Sequence, residues 1–231
     1  MPPRAPQWTL SLAAVALVLT AASGCTVTTT DKNGTTTTTT VGPDSGSGGS
    51  GTTSKADLKT ATARLEKLKV AKAASMKGYS RAEFPHWRSS GDNCDVRDSV
   101  LKRDGTKVKV SGCNVVAGTW KSAYDGVVLN SPTKVDIDHM VPLANAWRSG
   151  AAAWTKDRRG DFANDLADPQ LIAVSASSNR AKGDQDPSTW KPKATESWCE
   201  YSEDWIAVKT VWKLTVTTAE KAALTDMLRK C

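Results

Sequence analysis

VDIDHMVPLANAW, residues 135–147, holds one of the two histidines of a 231-residue chain. Val135 and Ile137 alternate with Asp136 and Asp138, the period-two pattern of a strand whose two faces meet different surroundings. The strand ends at His139, because Pro142 suits the first turn of a helix running through Ala144 and Trp147. A histidine at such a corner either packs or serves as a base beside a metal ligand, and the rest of the chain has to decide.

Downstream, the polar connection KDRRGDFANDLADP leads into a short apolar strand, LIAV. SASSNRAKGD follows, with serines placed to cap a helix that carries Asn179, Lys182 and Asp184. A hairpin with that helix across its open end would gather Asp138, His139 and Asn179 at one edge. Upstream, TKVKVSG, NVVAGTW and the VVLN that follows the Asp125-Gly126 turn read as a small antiparallel sheet. A short helix over about residues 95–103 precedes it, and Tyr79, Phe84 and Trp87 stand near a Gly-Asp-Asn turn.

Leu58, Ala61, Leu65 and Leu68 recur at helical spacing with lysines between them, so residues 55–78 open on a basic amphipathic helix. DWIAVKTVWKL and TTAEKAALTDMLRKC read as two closing helices, the second with Thr217 and Glu220 spaced as a capping box. Most tryptophans fall at helical spacings, which suits core packing better than base stacking. His86, between Pro85 and Trp87, reads as structural, and Arg97 with Asp98 as a buried or helix-capping pair first and a substrate contact second. The pattern is an α+β domain over residues 79–231.

The N-terminus reads as appendage. Arg4 precedes an apolar run over residues 10–19 that fades into TAASGC, an export signal over residues 1–25 that is too short to span a membrane as a helix. Its Ala-Ser-Gly-Cys end resembles a bacterial lipobox with Ala22 in place of the usual Leu, so Cys25 is a candidate for lipidation and membrane anchoring, with free secretion the other outcome. Residues 26–54, mostly Thr, Gly and Ser, cannot bury enough surface to order themselves and read as a disordered tether. Four cysteines remain in an exported chain, most simply two disulfides. Of three possible pairings, Cys94 with Cys113 and Cys199 with Cys231 each close a local unit. The net charge is +7, and the excess concentrates over residues 55–109, a surface that attracts polyanions such as nucleic acid or simply stays solvated.

VDIDHMVPL followed by SNRAKGD resembles the HNH, or ββα-metal, nuclease signature in the DH...N variant seen in RNA-guided DNA endonucleases. More of the chain, through YSRAEF, GDNCDVRDSVLKRD, SGC, FAND, LIAV and TW, resembles exported bacterial HNH endonuclease family proteins related to the C-terminal domain of GmrSD restriction endonucleases. That resemblance implies an HNH core with a small antiparallel sheet and flanking helices. It also implies Asp138 and Asn179 as metal ligands and His139 as general base. Gln170 stands where the family has an Asn that orients the base; either Gln170 or Asn164 takes that role here. Lys182 is a candidate phosphate contact, as a point charge, or a structural residue, and Asp184 a distant metal support or a local cap.

The chemistry favours those residue types. A neutral imidazole, with a pKa near ~6.5, accepts a proton from water at working pH. Oxygen ligands suit Mg²⁺, with Mn²⁺ or another divalent ion as substitute. The reading is therefore a divalent-cation-dependent endonuclease acting outside the cytoplasm on nucleic acid, DNA ahead of RNA. The rivals are a cell-surface binding module on the same scaffold and an envelope lipoprotein that binds anionic wall polymers.

Overall fold

The computed structural model describes residues 25–30, 36–41, 55–91 and 93–231. The signal expected over residues 1–24, the Cys25 side chain and most of the tether lie outside what is described. Within the tether, β1 (Cys25–Thr30) and β2 (Thr36–Val41) pair antiparallel, Cys25 opposite Val41. Threonine is β-branched, and a run of it favours extended backbone.

Residues 48–231 form a separate unit. Helix α1 (Lys55–Lys67) buries Ala61 and Leu65, and Leu68 just beyond it, while its lysines face out. A turn of 3-10 helix (Arg81–Glu83) leads to the hairpin of β3 (Ser89–Gly91) and β4 (Cys94–Asp95). Helix α2 (Val96–Asp104) starts on a capping box made by Asp95 and Asp98. Arg97 ties that helix to the carbonyls of Pro132 and Val135 at 2.9 and 2.8 Å, so Asp98 caps and Arg97 braces.

Next come β5 (Thr106–Ser111), β6 (Asn114–Lys121) and β7 (Val128–Leu129), an antiparallel sheet in that order. Trp120, 1% exposed, donates from Nε1 to the Leu101 carbonyl. A Cβ on Gly118 would sit 2.5 Å from its ring, which is why that neighbour is glycine.

Strand β8 (Val135–His139) is followed by α3 (Leu143–Arg148) and α4 (Lys156–Ala163). The sequence reads residues 156–163 as a polar connection, and the structure corrects this. Thr155 caps a helix that buries Phe162 and Ala163 and hides Arg159 by pairing it with Glu83 at 2.7 Å. A buried arginine masks the apolar face that periodicity looks for. Strand β9 (Leu171–Ser175) pairs antiparallel with β8, and α5 (Ala176–Lys182) starts on the cap of Ser175. Helices α6 (Trp198–Val211) and α7 (Thr218–Leu228) close the fold, the latter on the expected Thr217–Glu220 capping box.

The β8–β9 ribbon separates two cores. Val135, Ile137, Leu171 and Ala173 join Trp120 and α2 on one side, while Val174 joins the larger helical core around Trp205 and Phe162 on the other. The disulfides are Cys94–Cys113 and Cys199–Cys231, with Cα separations of 5.7 and 5.4 Å. The result is a mixed fold of helices with small antiparallel sheets.

Candidate active site

The β8–β9–α5 corner brings the sequence-predicted residues close together, but in different pairs from those expected. On β8, Asp136 and Asp138 share a face; on α5, Asn179 and Lys182 are one turn apart. The two elements engage as two couples. Asn179 donates from Nδ2 to Asp136 Oδ2 at 3.0 Å, and Lys182 donates from Nζ to Asp138 Oδ2 at 2.6 Å. Ser175 and Ser178 both donate to the Asp125 carboxylate and fix the start of α5.

Lys182 is fully buried. Its ammonium also donates to the His139 carbonyl at 2.9 Å and lies near the rings of Tyr124 and Trp205. In place of the expected phosphate contact the structure has an internal tie, because the ammonium's bonds go to Asp138 and the His139 carbonyl. Tyr124 donates its hydroxyl to the same Asp138 oxygen at 2.7 Å. Burial raises the Asp138 carboxyl and lowers the Lys182 ammonium, and each shift is opposed by the partner's charge.

These contacts bear on a cation. Among the described residues no cluster of three His, Cys, Asp or Glu side chains is arranged to hold a metal ion. Asp138 fits poorly as a ligand, since its Oδ2 is shared by an ammonium and a phenol, and a cation there would sit against a buried positive charge. Asp136 with Asn179 fits better: a half-buried carboxylate beside an amide, two oxygen donors suited to a hard divalent ion. Asp136 was missed in the sequence although the strand period places it on the same face as Asp138.

His139 is 4% exposed and pairs across the ribbon with Leu171. Its Nε2 lies 3.0 Å from the Ala163 carbonyl, the last residue of α4. A carbonyl only accepts, so Nε2 carries the proton and Nδ1 carries the lone pair. Burial pushes the imidazolium down to about 3; the Ala163 bond opposes this, and the nearby charges of Arg81 and Lys182 add to it. The ring is therefore neutral at any ordinary pH.

Neither amide expected to orient this base does so. Both polar atoms of the Gln170 side chain close on Val141, accepting from its N–H at 3.1 Å and donating to its carbonyl at 3.0 Å. Asn164 accepts from the Arg88 N–H and donates to the Pro85 and Gly160 carbonyls. The base is oriented by a backbone carbonyl, which leaves no side-chain signature in a sequence. Asp184 pairs with Arg148 at 2.6 Å, a local brace.

The second histidine, read as structural, has its ring centroid 6.4 Å from that of His139, and the Trp87 ring lies at 5.8 Å. His86 and Trp87 thus wall the base, a placement to which sequence spacing offers no clue.

Residues 95–227 match the family described as GmrSD restriction endonucleases, C-terminal domain. A protein of Arthroderma benhamiae described as an uncharacterized secreted protein is 53% identical over 173 residues, which is 74% of this chain and 85% of the relative. It is fungal, so the likeness extends beyond the bacterial proteins that the sequence resembles. No solved structure matches.

Proposed function

The chain belongs to the family of the GmrSD restriction endonuclease C-terminal domain, and on that premise we propose that it is an exported nuclease that hydrolyses nucleic-acid phosphodiesters, DNA ahead of RNA. A secreted relative and two disulfides support export. Lipidation of Cys25, anchoring the chain on the outer face of the cell membrane, belongs to the same proposal; the mass of the N-terminal fragment of the mature protein tests it.

One observation carries the catalytic reading. His139 is held neutral, with Nε2–H fixed on the Ala163 carbonyl and the Nδ1 lone pair kept for a proton. In the reaction, Nδ1 takes a proton from water as its oxygen bonds to phosphorus. The opposite P–O bond breaks, and the leaving oxygen keeps the electron pair and is protonated from solvent. A base with so low a pKa is weak until substrate arrives. An anionic phosphate beside the ring favours the imidazolium and raises its basicity in the complex. Asp136 and Asn179 are the residues that would hold Mg²⁺ or Mn²⁺; when bound, such an ion supplies charge neutralisation at the phosphate and the leaving oxygen. Asp138 and Lys182 hold β8 against α5 and keep the adjacent His139 in register.

Plasmid cleavage with Mg²⁺, with EDTA and with His139→Ala tests the proposal. Cleavage that stops in EDTA and falls by about a hundredfold or more in His139→Ala is expected. Undiminished cleavage by His139→Ala would sink the mechanism. The hold of Lys182 on Asp138 favours the second reading, a binding module on the same scaffold, and DNA binding with no cleavage under any divalent ion would establish it.

A further inference from the structure

Arg81 donates from Nε to His86 Nε2 at 3.2 Å, and His86 Nδ1 lies 2.8 Å from the Phe84 carbonyl. Since the carbonyl only accepts, Nδ1 carries the proton and Nε2 is the acceptor for the guanidinium. The terminal amino groups of Arg81 make no hydrogen bond to the described residues, and its side chain is exposed. So Arg81 is fixed at its Nε to a ring that lies against His139, while its planar, bidentate end stays open.

The chain that carries this pair is held at each point by α4. Arg159 binds the Glu83 carbonyl at 2.9 Å and its carboxylate at 2.7 Å, and Phe84 is sealed in the core. Asn164 brackets Pro85 and Arg88, while the Arg88 guanidinium binds Asp161 and the Asp157 carbonyl. Gly160 admits that guanidinium, for a Cβ there would lie 2.3 Å from Arg88 Nη2. Trp87 is forced to φ +59, a left-handed conformation that a bulky residue adopts only when its surroundings impose it. The same helix ends in the carbonyl that orients His139, so one element sets both the base and the arginine.

We infer that Arg81 binds the phosphate that His139 attacks through water, and that His86 is the positioning residue that aims its guanidinium. This rests on the nuclease reading and extends it to the substrate contact that Lys182, being buried, does not supply.

The test uses the full chain and a short fluorescein-labelled DNA duplex, with affinity measured in EDTA over a range of salt and cleavage measured separately with Mg²⁺. Arg81→Ala is expected to weaken binding about tenfold or more. It should also reduce the slope of log affinity against log salt by about 0.9, the signature of one lost phosphate contact. Arg81→Lys should restore the slope but not the cleavage rate. His86→Ala should keep the slope, lower kcat, and add nothing to the effect of Arg81→Ala. Unchanged affinity and slope in Arg81→Ala, with a wild-type protein that binds and cleaves, overturns the inference and leaves the nuclease reading intact. Independent effects of the two substitutions overturn the positioning role. A wild-type protein that neither binds nor cleaves removes both.

Discussion

At the scale of single residues, a histidine serves as a base only if it is neutral, oriented and reachable, and His139 meets the first two conditions by different means. Burial keeps it neutral and the Ala163 carbonyl fixes its tautomer. With a folded pKa of about 3 against ~6.5 when unfolded, the unfolded chain binds more protons between those values. The stability from the neutral buried ring is thus full above about pH 6.5 and declines as pH falls toward about 3, by at most roughly 1.4 kcal/mol per unit. Urea denaturation at pH 7 and pH 5 should show wild type losing roughly 2 kcal/mol more than His139→Gln. Asp138 titrates in both proteins and drops out of that difference. The rate profile follows from the same ring: kcat/KM, which reports the free enzyme, should show no His139 inflection near ~6.5. The acid limb of kcat should lie at higher pH than that of kcat/KM, because bound phosphate raises the base. A coincident pair of limbs would contradict substrate-assisted basicity.

At the scale of elements, the ribbon and α5 meet through two polar couples of unequal character. Asp138 with Lys182 is sealed, whereas Asp136 with Asn179 is half-open. Lys182→Met strands a buried carboxylate and should destabilise by about 3–5 kcal/mol. Replacing both partners, Asp138→Leu with Lys182→Met, should recover most of that loss, since a buried pair often exchanges for apolar groups at little net cost. The double variant should also titrate Mn²⁺, followed by electron paramagnetic resonance, with near wild-type affinity, while Asp136→Asn should weaken it tenfold or more. The reverse result would return the ligand role to Asp138. The sequence made the elements themselves legible: the 135–139 alternation, the serine cap at 175 and the capping box at 217 act locally and so leave local marks. It set Asp138 and His139 at the end of a strand and Asn179 on the capped helix that follows. It did not reveal their pairing, because which carboxylate meets which α5 side chain depends on the offset between strand and helix, a tertiary quantity. Helix α4 was hidden for a related reason. Its inward face is partly an arginine and a glycine, whose roles depend on Glu83 and Arg88 far along the chain.

At the scale of the whole molecule, the site lies where two cores meet, and the two disulfides belong to different sides of that divide. Cys94–Cys113 ties β4 to the turn between β5 and β6, beside the segment that carries Arg88. Cys199–Cys231 joins the first turn of α6 to Cys231 beyond α7, at a sequence separation of 32. Neither cysteine of the second pair touches the β8–β9–α5 corner through the hydrogen bonds that build it. Its contribution is the restriction it places on the unfolded chain, typically about 2–4 kcal/mol. Cys199→Ser with Cys231→Ser should lower urea stability by that order while leaving kcat and Mn²⁺ affinity near wild type. Cys94→Ser with Cys113→Ser should act differently, because the strand it frees runs into Val96, whose N–H donates to the Arg88 carbonyl, and so adjoins the segment of Arg81 and His86. Cleavage in that variant should fall by more than its loss of stability explains at a temperature where both proteins remain folded. Equal kinetic effects from the two pairs would mean that the wall is held by α4 alone, and that the second core serves only as its support.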